Sequence, residues 1–342
     1  MKKKNFRAPS GATLSFSELG FGAAPLGNLY RAVSDKDATA TLEAAWKAGI
    51  RYYDTAPLYG LGLSETRLNP FLRGRKRSDY VLSTKVGRVL HVCPPAERTG
   101  IGKFFDTPSR REEYDYSYDG IYRSLEASFE RLGVDSIDIL LAHDLDIFTH
   151  KSAERRDHYM KVLFESGYKA MRKLRDEGVV KAIGAGINEV EACAMLARGG
   201  DFDLFLLAGR YTLLEQEAAL DSLLPLLQER GIGIVLGGPY NSGILATGAR
   251  PGAWYNYDPA PPAVLERVKR IEAVCKAHKV KLPQAALRFP LTHPCVVSVI
   301  PGAASPKEVA LNLRTMSARL PKALWKDLKA QGLLDPRAPT PK

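Results

Sequence analysis

The feature that most constrains this chain is an alternation repeated eight times between residues 18 and 317. Short apolar runs occur at Leu19-Gly22, Arg51-Asp54, Tyr80-Lys85, Ile137-His143, Val180-Ala185, Leu204-Ala208, Ile232-Leu236 and Val296-Ile300. Between them lie stretches whose apolar residues recur every three or four positions: Asp37-Ala48, Ser64-Leu72, Ser117-Leu132, Met160-Glu177, Glu189-Arg198, Glu215-Arg230, Ala263-His278 and Pro306-Met316. The first set has the length and composition of buried strands and the second the period of amphipathic helices. Strand, helix, strand in strict succession builds parallel sheet, because a parallel neighbour is reached only through a crossover.

Two architectures satisfy that order. An open doubly wound sheet that binds dinucleotides carries G-x-G-x-x-G between its first strand and helix. Here Gly20-x-Gly22 is followed by Ala23-Ala24-Pro25, and Gly231-x-Gly233 opens a strand instead of following one. The pattern therefore predicts an α/β fold, a single (β/α)8 TIM barrel over residues 1–342 with its core at about 18–317. Gly49, Gly133, Gly178, Gly199 and Gly231 follow helices where a left-handed cap is wanted. Phe6 to Phe16, with Pro9-Ser10-Gly11 at its centre, reads as an N-terminal β-hairpin closing one end. Pro321 to Leu328 reads as one more helix. Long loops follow strands 3, 4 and 7 (Arg88 to Asp115, Asp144 to Asp157, Gly237 to Pro262), on the side where such barrels build their sites.

Composition narrows the classes. The net charge is 49 − 38 = +11, but Lys and Arg are mixed with acids and no nucleic-acid-binding signature occurs, so no nucleic-acid partner is expected. Met1-Lys2-Lys3-Lys4 is followed by no apolar segment, and no run reaches the roughly 18 apolar residues of a membrane span. Cys93, Cys193, Cys275 and Cys295 have neither zinc nor C-x-x-C spacing and read as reduced thiols. The expectation is a cytoplasmic enzyme with no metal and no membrane partner. The sequence specifies no oligomer.

Three strands end on polar residues that share one mouth: Asp54, Lys85 and His143, with Tyr59 five residues beyond Asp54. Singly, such residues serve as helix caps, solvated charges, packing aromatics or hydrogen-bonded structural histidines. On three consecutive strands they form a set. Asp54-Thr55-Ala56-x-x-Tyr59-Gly60, Ser83-Thr84-Lys85 and Leu141-x-His143-Asp144 resemble the aldo-keto reductase superfamily. The resemblance implies an NAD(P)-dependent oxidoreductase with Asp54, Tyr59, Lys85 and His143 as its catalytic tetrad. Chemistry agrees: a tyrosine near pKa 10 exchanges protons more readily beside an ammonium, and Lys85 supplies one. Asp54 would hold Lys85, and His143 would bond the reacting oxygen. A strand-end lysine can instead form a Schiff base, as in aldolases, and some related barrels are cofactor-sensing β-subunits of channels.

The same resemblance implies a cofactor cradle of Gly22, Ala23, Asn188, Tyr211, Gly238, Pro239, Asn241, Ser242, Gly243, Leu245, Pro301, Gly302, Ser305, Glu308 and Asn312. Asn188 would bond the nicotinamide carboxamide. The chain departs from the family pattern at Gly237, where an aromatic usually stacks on the ring and Tyr211 is a candidate substitute, and at Ala208, where a Gln is usual. NADPH-dependent relatives place cations where this chain has Gly302 and Glu308. A carboxylate repels a 2′-phosphate, so NAD is expected over NADP, and Gly302→Lys with Glu308→Arg is expected to reverse or flatten that preference.

Phe104, Phe105, Tyr114, Tyr116, Phe148, His150, Trp254, Tyr255 and Tyr257 populate the long loops, with Phe148 and Trp254, beside Tyr59 and His143, the substrate candidates. Leu19-Gly20-Phe21-Gly22-Ala23-Ala24-Pro25-Leu26-Gly27-Asn28-Leu29 and Leu141-Ala142-His143-Asp144-Leu145-Asp146 resemble the D-threo-aldose 1-dehydrogenase (L-fucose and L-galactose dehydrogenase) and pyridoxal 4-dehydrogenase branch. This implies NAD-dependent oxidation of a cyclic hemiacetal sugar to a lactone. The alternatives are pyridoxal, giving 4-pyridoxolactone, and general aldehyde or ketone reduction.

Overall fold

The computed structural model describes residues 1–100 and 102–341. Its eight-stranded parallel sheet runs in the order β14-β11-β10-β9-β8-β5-β4-β3. The strands are β3 Phe21–Gly22, β4 Tyr52–Asp54, β5 Val81–Val86, β8 Ile139–His143, β9 Ala182–Ile187, β10 Leu204–Ala208, β11 Gly233–Gly237 and β14 Val296–Ile300. Parallel bridges from Leu19 to Val299 and from Gly22 to Gly302 join the two edges and close the barrel. Closure leaves no free edge to pair with another chain.

Two-residue alternation builds the floor. β1 (Lys3–Arg7) and β2 (Thr13–Ser17) form the expected antiparallel hairpin. In β2, Leu14 and Phe16 are buried while Thr13 and Ser15 face water. Both enter the barrel interior, in one cluster with Tyr52, Ile139, Leu141, Leu204, Val235 and Val297. The Phe16 ring meets Tyr52 edge to face at 4.9 Å. Truncating such a buried aromatic costs about 3–5 kcal/mol, so the hairpin is a structural plug and the open end of the barrel is the opposite one.

The helices ring the barrel with their apolar stripes inward. Ser117 shows how their starts are set: its side chain accepts from the Gly120 N–H ahead of the helix Tyr118–Leu132, satisfying one of the first-turn donors. Four of the five cap glycines take positive φ as expected, but Gly199 lies inside the helix Val190–Gly199, packed against the Phe164 ring. A helix at Leu282–Arg288 was not expected from the apolar pattern; its second residue is Pro283, whose missing N–H costs nothing in a first turn.

The long loops are more ordered than their composition suggests. The loop after β5 is an antiparallel hairpin of β6 (Arg88–Val92) and β7 (Arg110–Tyr114). The loop after β8 carries a short helix, Ile147–His150, and the loop after β11 carries another, Ile244–Thr247, and the ribbon of β12 (Trp254–Tyr255) and β13 (Asp258–Pro259). No described helix is long and apolar enough to cross a membrane.

Candidate active site

Asp54 and His143 end their strands and Lys85 stands one residue from the end of β5, so parallel register brings all three to the open end. Lys85 is buried, and its Nζ donates to both Asp54 oxygens, at 3.0 and 2.8 Å, and to the Thr55 carbonyl at 2.7 Å. Ser83 Oγ donates to Asp54 at 2.6 Å. An ammonium has three donors, and all three are committed. That is the geometry of a fixed charge, and it does not suit a Schiff-base nucleophile, which needs a free amine.

Tyr59 reaches the same place from the loop after β4, with Lys85 Nζ 4.8 Å from its ring centre and the His143 ring 6.0 Å away, edge on. The sequence reading expects Lys85 to lower the Tyr59 pKa. The structure has the opposite direction: burial, then Asp54 and Asp144, push the phenol well above its ordinary value, with Arg88 opposing. Burial is the largest cause, and Lys85, whose ammonium is paired with Asp54, does not offset it. Burial also raises the Asp54 carboxyl, against Lys85 and Ser83. Burial, Lys85 and Arg88 together hold His143 well below 6.5, so its imidazole is neutral at pH 7.

A cavity of about 560 Å³ runs from Tyr59 across the barrel mouth. Of the cradle residues, Gly22, Asn188, Gly238, Pro239, Asn241, Ser242, Gly243, Pro301, Gly302, Glu308 and Asn312 line it, and Phe148 does so at the substrate end. Ala23, Tyr211, Leu245, Ser305 and Trp254 do not. Ala23 is buried and its N–H holds the Asp54 carbonyl at 2.8 Å. Leu245 belongs to the core, and Ser305 caps the helix Pro306–Met316. Tyr211 is packed against Phe289 at 5.2 Å and His293 at 5.7 Å, so it is no substitute for the missing aromatic at Gly237. There Gly237, Leu206 and Ala208 share a shallow wall. Trp254 is 45% exposed beside Tyr30, and it is Tyr30 and Tyr257 that face the cavity. Of the other loop aromatics, Tyr114, Tyr116 and His150 pack together around Tyr159.

The residues present fit a dinucleotide. Asn241, Ser242 and Gly243 are three successive residues at positive φ beside Gly238, a backbone turn with little side-chain bulk on the cavity wall, suited to a pyrophosphate. Both Asn188 Nδ2 bonds go to carboxylates, Asp144 at 3.0 Å and Asp146 at 3.1 Å, which leaves its Oδ1 for a donor such as a carboxamide. Glu308 accepts from the Ala304 N–H at 2.8 Å and from Arg31 at 3.1 Å. Gly302 has no room for a side chain, since a Cβ would lie 2.7 Å from Pro25 Cγ.

Three features at this end were given no site role from the sequence. Arg210 lines the cavity, bonds Asn256 at 2.7 Å and has no carboxylate within 4.0 Å among the described residues. Tyr30 lies in the loop after β3, outside the loops marked by length. Arg88 and Asp144 form a buried pair behind His143; their signal was adjacency, each standing within three residues of a tetrad member.

The family model for the aldo/keto reductase family matches residues 18–331. The chain is 43% identical to D-threo-aldose 1-dehydrogenase of a Pseudomonas species over 98% of both chains. It is 38% identical to pyridoxal 4-dehydrogenase of Microbacterium luteolum, over 98% of this chain and 99% of that one. Among solved structures, an aldo-keto reductase of Bacillus halodurans superposes with a TM-score of 0.72 at 25% identity, covering 100% of this chain and 98% of that one. The barrel, the residues at its mouth and these matches converge: the chain belongs to the aldo/keto reductase family.

Proposed function

We propose that this enzyme oxidises C1 of a cyclic six-carbon or 6-deoxy aldose with NAD as acceptor, giving the lactone. A hemiacetal carbon carries hydroxyl and hydrogen together, so removing one proton and one hydride suffices. The nicotinamide, when bound, supplies the hydride acceptor. Tyr59 would take the hydroxyl proton, and neutral His143 would bond the same oxygen. Lys85, held by Asp54, is the fixed positive charge that steadies the phenolate as it forms.

The observation that carries the sugar reading is the wall facing Tyr59. Phe148, Tyr257 and Tyr30 present rings, with Phe148 and Tyr257 5.9 Å apart, while Arg210 and Asn256 present polar groups beside them. Rings pack on sugar C–H faces, and a guanidinium without a counter-ion has N–H donors left for hydroxyl oxygens. The 43% identity to a D-threo-aldose 1-dehydrogenase supports the same substrate class. NAD preference is supported by Glu308, whose carboxylate would repel a 2′-phosphate and accept from a ribose hydroxyl.

The test is NADH formation from L-fucose, L-galactose, D-arabinose and pyridoxal at equal concentration. A sugar is expected to have the highest kcat/KM. Pyridoxal ahead by a large factor would overturn the sugar reading, and faster NADPH-dependent reduction of simple aldehydes would overturn both.

A further inference from the structure

Behind His143 the structure holds a charged pair that the proposed chemistry leaves without a role. Asp144 and Arg88 are both buried, and Arg88 donates to Asp144, to Glu112 and to Tyr114. Asp144 sits at φ 56°, left-handed backbone that a non-glycine residue adopts at a cost, and such positions cluster where function requires them. Its backbone is pinned there by an N–H bond to the Gly186 carbonyl at 2.8 Å. From that position the carboxylate faces two groups at once. Oδ2 lies 3.4 Å from His143 Nε2, and Oδ1 accepts from Asn188 Nδ2 at 3.0 Å.

A neutral imidazole carries its proton on one nitrogen only. His143 Nδ1 is buried with no partner among the described residues. A proton on Nδ1 would be a buried donor without an acceptor, and the Nε2 lone pair would then face a carboxylate. A proton on Nε2 is attracted by that carboxylate at 3.4 Å without being hydrogen-bonded to it, so the N–H is left for another acceptor. The groups around His143 agree: Lys85 and Arg88 oppose a second proton, and the Tyr116 hydroxyl holds the backbone carbonyl of His143 at 2.6 Å.

We propose that Asp144 is a positioning residue, which selects the Nε2–H tautomer of His143 and orients the Asn188 amide, with Arg88 keeping its carboxylate in place. One carboxylate would thereby set the proton on the substrate side and the acceptor on the cofactor side. The argument rests on the proposed assignment of His143 to the reacting oxygen, but its first readout does not depend on turnover.

That readout is the ring-nitrogen NMR of His143 in uniformly labelled protein at pH 7, assigned by loss of its signals in His143→Gln among the six histidines. The wild type is expected to carry the proton on Nε2 and Asp144→Asn to show a measurable share on Nδ1, since the carboxylate charge that favours Nε2–H is gone while Arg88 keeps an oxygen at the same place. Asp144→Asn is also expected to lose about 10-fold in kcat, less than the roughly 100-fold that losing a proton donor outright costs at the low end, and to bind NAD several-fold more weakly. A wild-type proton on Nδ1, or an unchanged share of the two tautomers in Asp144→Asn, overturns the proposal. The double variant Arg88→Met with Asp144→Asn guards against a purely structural role. It removes both buried charges, so recovery of wild-type kcat there would show that Asp144 serves only to neutralise Arg88, whereas the account expects kcat to stay low. If the tautomer shifts as stated and no aldose is oxidised, it is the substrate reading that fails.

Discussion

Gly27 and Gly60 meet backbone to backbone: a Cβ on Gly60 would lie 2.4 Å from the Gly27 carbonyl oxygen, and one on Gly27 would lie 2.4 Å from the Tyr59 carbonyl carbon. Gly60 also sits at φ 66°. The close approach locks the Tyr59 turn against the loop after β3, so the position of the phenol depends on the absence of a methyl group in the neighbouring loop. Gly27→Ala is expected to push that turn outward. Displacing a reacting group by about 1 Å costs on the order of 100-fold in rate. Steady-state kinetics with NAD titration checks this: kcat should fall while NAD affinity stays nearly unchanged, and a kcat within twofold of wild type would contradict it.

Because burial and the carboxylates of Asp54 and Asp144 raise the Tyr59 phenol, its deprotonated form is scarce at neutral pH. Oxidation needs that form and reduction needs the protonated one. The kcat/KM for oxidation should climb from pH 7 to pH 10 without levelling off, while that for reduction stays flat over the same range. Tyr59→Phe should lower oxidation by about 100- to 10,000-fold, the span of a lost general base, with NAD binding retained. A plateau beginning below pH 7, or a phenylalanine variant keeping most of its kcat, would show that Tyr59 is misassigned.

Glu308 accepts from the Ala304 N–H and from Arg31 at the cavity wall. Glu308→Gln removes the charge that opposes a 2′-phosphate and frees Arg31 to meet one. The ratio of kcat/KM for NADP to that for NAD should rise by at least about 10-fold, equivalent to ~1.4 kcal/mol. Glu308→Arg should move it further. Gly302→Lys, attractive from the sequence, should add little, because Pro25 occupies the space its Cβ needs. Equal use of both cofactors by the unmodified enzyme would contradict the assignment.

Acid should unfold the protein through its buried histidines. Burial holds His150 and His293 down to about 4 and His143 well below 6.5. Below pH 6.5 the unfolded chain binds protons at these sites and the folded chain does not, so protons favour unfolding. The stability these neutral rings contribute is complete above about pH 6.5 and is lost as pH falls from there toward 4. Thermal unfolding between pH 4 and 8 should show Tm falling over that window, and His293→Gln should make the fall shallower. A Tm independent of pH from 7 to 4.5 would contradict it.

Periodicity located the barrel because each strand had to be apolar and each helix amphipathic, and the hairpin floor was legible in the Pro9-Ser10-Gly11 turn between two short β-like runs. The tetrad was legible because parallel strands bring their polar ends to one mouth. What the sequence concealed depended on direction. Tyr211 and Tyr257 are both aromatics near strand ends, yet one turns into the core against Phe289 and the other lines the cavity. The loop after β5 looked irregular because cross-strand pairing between residues such as Leu90 and Glu112 leaves no local period. Lys85 could be placed from sequence, but the direction of the Tyr59 shift could not, since it is set first by how deeply the fold buries the phenol.

The central claim, direct transfer of hydrogen from the anomeric carbon, is tested by L-fucose deuterated at C1. Mass spectrometry of the nicotinamide product should find one deuterium per reduced cofactor, one equivalent of lactone formed with it, and slower turnover than with the protiated sugar. Reduced cofactor without deuterium, or no reduced cofactor from any aldose that carries the label, would contradict the account.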